Sequence, residues 1–73
     1  MSRQFTAIIE REGDGYVAIS PELDIASQGE TVAEARTNLA EAIELFLETA
    51  SSEEIKNRLK SEVYITQIDV THA

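Results

Sequence analysis

Seventy-three residues make one domain with a single small core. A hydrophobic content of 42% beside 27% charged residues belongs to a folded chain rather than a disordered one, and the absence of cysteine excludes a disulfide framework and thiolate metal sites. The net charge of −8 is concentrated, since residues 10–48 hold ten acids against Arg11 and Arg36; such a surface repels phosphate backbones and attracts basic proteins.

Taken in order, Gln4–Arg11 reads as a strand, with Phe5, Ala7 and Ile9 on one face and Thr6, Ile8 and Glu10 on the other. Ile8 breaks the alternation, so the second face is expected to be partly covered. Glu12-Gly13-Asp14-Gly15 supplies the positive φ angles of a hairpin turn. Tyr16–Ser20 returns as a second strand, with Val17 and Ile19 opposite Tyr16 and Ala18. Pro21 ends it, because proline donates no backbone hydrogen bond. In the connection that follows, Leu23 is expected to plug one end of the core. Ile25–Gln28 is a short third strand, broken by Gly29.

Thr31–Ala50 is the helix on which the fold depends. Val32, Ala35, Leu39, Ala42, Ile43, Phe46 and Ala50 recur at three- and four-residue steps and form one narrow apolar stripe. Glu34, Thr37, Glu41, Glu44 and Glu48 occupy the opposite face. Thr31 and Glu34 have the spacing of a capping box, the hydroxyl accepting from the Glu34 amide and the carboxylate reaching back to the Thr31 amide. Leu39 and Phe46 are expected at the centre of the helix–sheet core. Ser51 and Glu54 repeat the capping spacing before a short helix, Ser52–Lys60, whose cations cluster near its C-terminus. Glu62–Val70, EVYITQIDV, reads as a fourth strand with apolar side chains on both faces. Thr71-His72-Ala73 is expected to fray.

The order is βββαβ, an α+β domain. A right-handed crossover through the long helix sets the fourth strand beside the first and parallel to it, so the expected sheet order is 3-2-1-4, mostly antiparallel, with one long helix across one face.

Catalytic chemistry is missing from the pattern. His72 is the only histidine and is the penultimate residue, where a base has no rigid support. Gly13, Gly15 and Gly29 make no phosphate-binding loop, because the G-D-G sits in a hairpin turn. Glu10, Glu41 or Glu44, and Asp69 could converge on magnesium only if the helical acids faced the sheet, and they lie opposite the apolar stripe. The expectation is no enzyme, no metal and no cofactor. No apolar run approaches the ~20 residues of a membrane span, so the cytoplasm is the expected compartment.

Pro21-Glu22-Leu23, then Gln28-Gly29-Glu30-Thr31, Glu34-Ala35, Asn38 and Glu41-Ala42-Ile43-Glu44-Leu45-Phe46-Leu47 resemble, in order and spacing, the HicB family of antitoxins, including its short, stand-alone members. The resemblance runs from Phe5 to about Glu48. It implies a partial ribonuclease-H-like fold without catalytic carboxylates, and a role in neutralising a small basic HicA-type ribonuclease toxin by covering its active site. Residues 51–73 are too few for the helix-turn-helix or ribbon-helix-helix that many such antitoxins carry, so no DNA-binding domain is expected and the chain reads as one domain over 1–73. Asp24-Ile25-Ala26-Ser27 lacks the Gly-Cys pair often found after the family's Pro-Glu-Leu. Glu22, Asp24 and Glu30 are the candidate contacts for a basic toxin. The alternative is a self-associating scaffold or small-ligand module. Leu45, set apart from the apolar stripe, and Tyr64, Ile68 and Val70 on the last strand are the candidate interface of a homodimer or a higher even-numbered oligomer.

Overall fold

A computed structural model describes residues 3–72. Its elements are β1 (Ile8–Glu12), β2 (Gly15–Ser20), β3 (Ile25–Gly29), α1 (Val32–Thr49) and α2 (Ser52–Arg58). The three strands form an antiparallel meander in the order β1-β2-β3. Ile8 pairs with Ile19 and Glu12 with Gly15 along the hairpin, and Tyr16 pairs with Gly29 on the other side of β2. The two-residue hairpin loop takes its positive φ at Gly13 (60°), the first central position of the turn. Gly15 belongs to the strand and has a different task. A Cβ there would stand 2.8 Å from the Gly29 carbonyl oxygen.

Alternation along the strands sends Ile9, Tyr16, Ala18, Ser20 and Ile25 toward α1 and leaves Ile8 and Ile19 on the far side. The core follows from that division. Ala18, Leu23, Ala35, Leu39 and Ile43 are buried, and Phe5, Ile9, Tyr16, Ile25, Phe46 and Leu59 pack around them. Leu23 is fully enclosed and closes one end of the core, as its place after Pro21 suggests. Leu39, 2% exposed, is central. Phe46 is not. It lies half-buried at the rim, with the Arg58 guanidinium 5.0 Å from its ring centroid. Ile8 and Ile19 stay exposed, so the second face of the sheet is bare rather than partly covered.

Helix α1 starts where expected. The Thr31 hydroxyl accepts from the Glu34 amide at 3.0 Å. The Glu34 carboxylate, however, accepts from the Glu30 amide at 3.0 Å, one residue before the cap, which ties the end of β3 to the first helical turn. Asn38 adds a second tie, its Nδ2 donating to the Gln28 carbonyl at 2.8 Å. Glycine at position 29 makes this approach possible, because a Cβ there would lie 2.5 Å from the Ala35 nitrogen. The helix therefore leans over β3 and β2 and only brushes β1.

The short helix α2 ends at Arg58, and its cap Leu59 packs on the core. The expected fourth strand is not formed. Residues 62–70 pair with no strand of their own chain, and Tyr64, Ile65, Ile68 and Val70 are exposed. The sheet has three strands among the described residues, and the order 3-2-1-4 is not formed within one chain. β-Branched residues on both faces signal a strand, but they do not specify whose edge it pairs with. The shape records the consequence: the radius of gyration is 14.4 Å, against roughly 11 Å for a compact domain of this length. No helix among the described residues is long and apolar enough to cross a membrane.

Candidate functional site

Antiparallel pairing brings the β1–β2 turn, the end of β3 and the first turn of α1 to one end of the sheet. Glu12, Tyr16, Val17, Gln28, Glu30 and Glu34 line an open cleft of about 510 Å³ there. Gly15 and Gly29 line it too, and the lack of side chains at these two neighbouring positions leaves it open. Three carboxylates ring the cleft, and none is paired with a cation among the described residues. Arg11, the nearest cation in sequence, is otherwise engaged. Its Nη2 donates to the Tyr16 hydroxyl at 2.9 Å, and its guanidinium lies 5.0 Å from that ring's centroid. The cleft is an acidic recess able to receive Lys or Arg side chains.

The opposite end of the sheet is built differently. The Glu22 carboxylate accepts from the Thr6 amide at 3.1 and 3.0 Å, from the Thr6 hydroxyl at 2.7 Å and from the Ser20 hydroxyl at 3.0 Å. Partial burial pushes the Glu22 pKa up, but the hydrogen bonds from Thr6, from its own backbone and from Ser20 outweigh it, so the pKa ends below its ordinary value. This carboxylate fastens the segment before β1 to the β2–β3 connection. Two residues on, Asp24 adopts a φ of 57°, uncommon for a residue with a side chain. Its exposed carboxylate meets the Lys60 ammonium at 3.3 Å. Arg58 donates to the Leu23 and Asp24 carbonyls at 2.7 and 3.1 Å, so the end of α2 is clamped to this connection.

Of the three acids expected to face a partner, Glu30 alone lies at the cleft. Glu22 and Asp24 sit at the other end of β2, and Glu22 is turned inward. Glu12 and Glu34 take their place beside Glu30. Both could have been found by laying the meander out, since the β1–β2 turn and the end of β3 must share one end of the sheet. Glu44 rims a separate groove beside β1 together with Arg3 and Arg36. Among the described residues, no group of three or more His, Asp or Glu side chains could hold a metal ion. The expected interface residues are all exposed: Leu45 on the flank of α1, and Tyr64, Ile68 and Val70 on the unpaired segment.

The chain is similar to a UPF0150 protein of Synechocystis, 50% identical over 50 residues, which cover 66% of this chain and 69% of that protein. It is also similar to a UPF0150 protein of Helicobacter pylori, 37% identical over 68 residues, which cover 92% of this chain and 94% of the relative. No protein-family model and no solved structure matches it.

Proposed function

The chain belongs to the UPF0150 family, and on that footing we propose that it is a non-enzymatic, antitoxin-like module that neutralises a small basic ribonuclease of the HicA type. The observation that carries this reading is the cleft ringed by Glu12, Glu30 and Glu34, three carboxylates without a cationic partner among the described residues, in a chain of net charge −8. A basic toxin supplies the missing cations. Its long side chains enter the recess, while the acidic surface of residues 10–48 steers the approach from a distance. Covering the toxin's catalytic surface needs no chemistry from the inhibitor. The motif order shared with HicB antitoxins supports the same reading, with the partial ribonuclease-H-like fold serving as scaffold.

The test pairs the chain with any small basic protein that a neighbouring reading frame encodes. Co-expression should rescue growth arrested by that protein, and association measured by stopped flow should slow steeply with salt. Glu12→Lys combined with Glu30→Lys should lower the association rate by about tenfold or more at low salt while changing dissociation less. A charge-reversed variant that associates as fast as the parent would remove the cleft from the interface. A chain that neither binds the neighbour nor rescues growth would sink the antitoxin reading.

A further inference from the structure

A groove of about 560 Å³ runs beside β1. Phe5 and Ala7 form one wall, and Leu39, Ile43 and Leu47 of α1 form the other. It exists because α1 leans toward β3, and because β1 pairs only with β2 and leaves its outer edge open. An open edge beside an apolar trough is where a further strand docks. The chain possesses such a segment, residues 62–70, which stands away from its own body with Tyr64 83% and Ile68 80% exposed. We propose that this arm docks in the β1 groove of a second copy of the chain, and that the second copy's arm reciprocally fills the first.

Four observations choose this occupant. Length fits: nine residues at ~3.3 Å each span about 30 Å, enough to run the whole of β1 and its lead-in from Phe5. Alternation fits, because Val63 and Ile65 fall on one face and Tyr64, Ile68 and Val70 on the other. One set fills the trough, and the other extends the exposed row of Ile8 and Ile19 on the far side of the sheet. Charge fits as well. Arg3 and Arg36 line the groove against the single acid Glu44, so a basic partner is disfavoured, and the arm carries Glu62 and Asp69.

The fourth observation concerns the arm's root. Lys60 donates its amide to the Glu22 carbonyl at 2.9 Å and its ammonium to the Pro21 carbonyl at 2.8 Å, while Arg58 holds the Leu23 and Asp24 carbonyls. Fixed there, the arm runs outward and stretches the molecule to 49 Å along one axis against 19 Å along another. Folding back onto its own β1 requires a reversal within the few residues after Lys60. A short hinge of that kind favours exchange between copies. Reciprocal exchange uses the same patch on both chains and closes as a twofold dimer.

Sedimentation equilibrium of the intact protein at micromolar concentration should give twice the 8.1 kDa chain mass. Ile65→Pro removes a backbone donor and a ladder position from the arm without touching the buried core, and should weaken the dimer at least tenfold. Because the chain's own arm could occupy the groove, a sample mixing isotope-labelled and unlabelled chains is read by isotope-filtered NOEs. Contacts from Tyr64 and Ile65 to Ala7 and Leu47 should run between chains. A single 8.1 kDa species, a dimer whose affinity Ile65→Pro leaves unchanged, or the same NOEs found only within one chain would each overturn the exchange.

Discussion

Truncating Glu22 to alanine removes one acceptor group from three donors at once. The Thr6 amide and hydroxyl lie at the surface end of the strand lead-in, where water can replace the lost carboxylate. The Ser20 hydroxyl cannot be rescued so easily, because Ser20 is fully buried. An unsatisfied buried donor costs about 1–3 kcal/mol, and a charge-assisted bond is worth about 1.5–3 kcal/mol before allowing for solvent at this half-buried site. The expected loss for Glu22→Ala is therefore about 2–3 kcal/mol, out of roughly 4–11 kcal/mol for a domain of this length. In a thermal melt that is a fall of about 10–20 °C. Glu22→Gln keeps one acceptor oxygen and should lose about half as much.

The same carboxylate gives a pH signature. Its pKa is lower in the folded chain than in the unfolded one, so its contribution is present above the ordinary glutamate range and disappears as pH falls through the folded value. Wild type should thus lose stability below about pH 4–5 along a steeper curve than Glu22→Ala. Denaturant midpoints from pH 7 to pH 3 provide the measurement. Parallel curves for the two proteins, or a loss under about 0.5 kcal/mol at pH 7, would show that the Thr6–Glu22–Ser20 cluster does not hold the strand lead-in.

Two further predictions concern the core and the helix–sheet contact. Leu39→Ala, at the buried centre, should cost about 2–5 kcal/mol, and a melt within a degree or two of the parent would place the helix stripe elsewhere. Gly29→Ala should be clearly destabilising, by about 1–3 kcal/mol, because the added methyl meets the backbone of α1 at 2.5 Å, whereas Gly13→Asn should be tolerated, since the turn is open and asparagine accepts a positive φ. Equal melting temperatures for those two glycine variants would contradict the account of how α1 approaches β3.

Periodicity settled the parts of the fold that depend on neighbours in sequence. The hairpin, the third strand, α1 with its Thr31 cap and α2 with its Ser51 cap all lie within a residue or two of their expected ends, apart from β1, which pairs only from Ile8 onward. Local signals fix these elements because a cap or turn acts over three or four residues. Residues 62–70 failed that test for a definite reason. Their pattern expresses a preference for an extended backbone between two apolar layers, and that preference is satisfied equally by any matching edge. Phe46 failed differently. It sits on the helix stripe at the right spacing, yet it packs at the margin of the core, half-buried, with the Arg58 guanidinium against its ring. The acidic cleft was legible only in part, since its three glutamates come from β1, the β3–α1 connection and α1. Linear charge counting grouped Glu22 and Asp24 with Glu30, although the length of β3 runs between them.

Glu22 holds two distant parts of the chain, Thr6 through its carboxylate and Lys60 through its carbonyl. The two loops thereby closed differ in size. Thr6 and Glu22 are sixteen residues apart, while the second loop is more than twice as long and contains all of α1. Because closure entropy grows with the logarithm of loop length, shutting the larger loop costs about 0.8 kcal/mol more. The smaller loop lies within the meander and asks nothing of the helix, whereas the larger closes only over α1. Residue 22 thereby ties the direction in which the C-terminal segment leaves the body to the sheet itself.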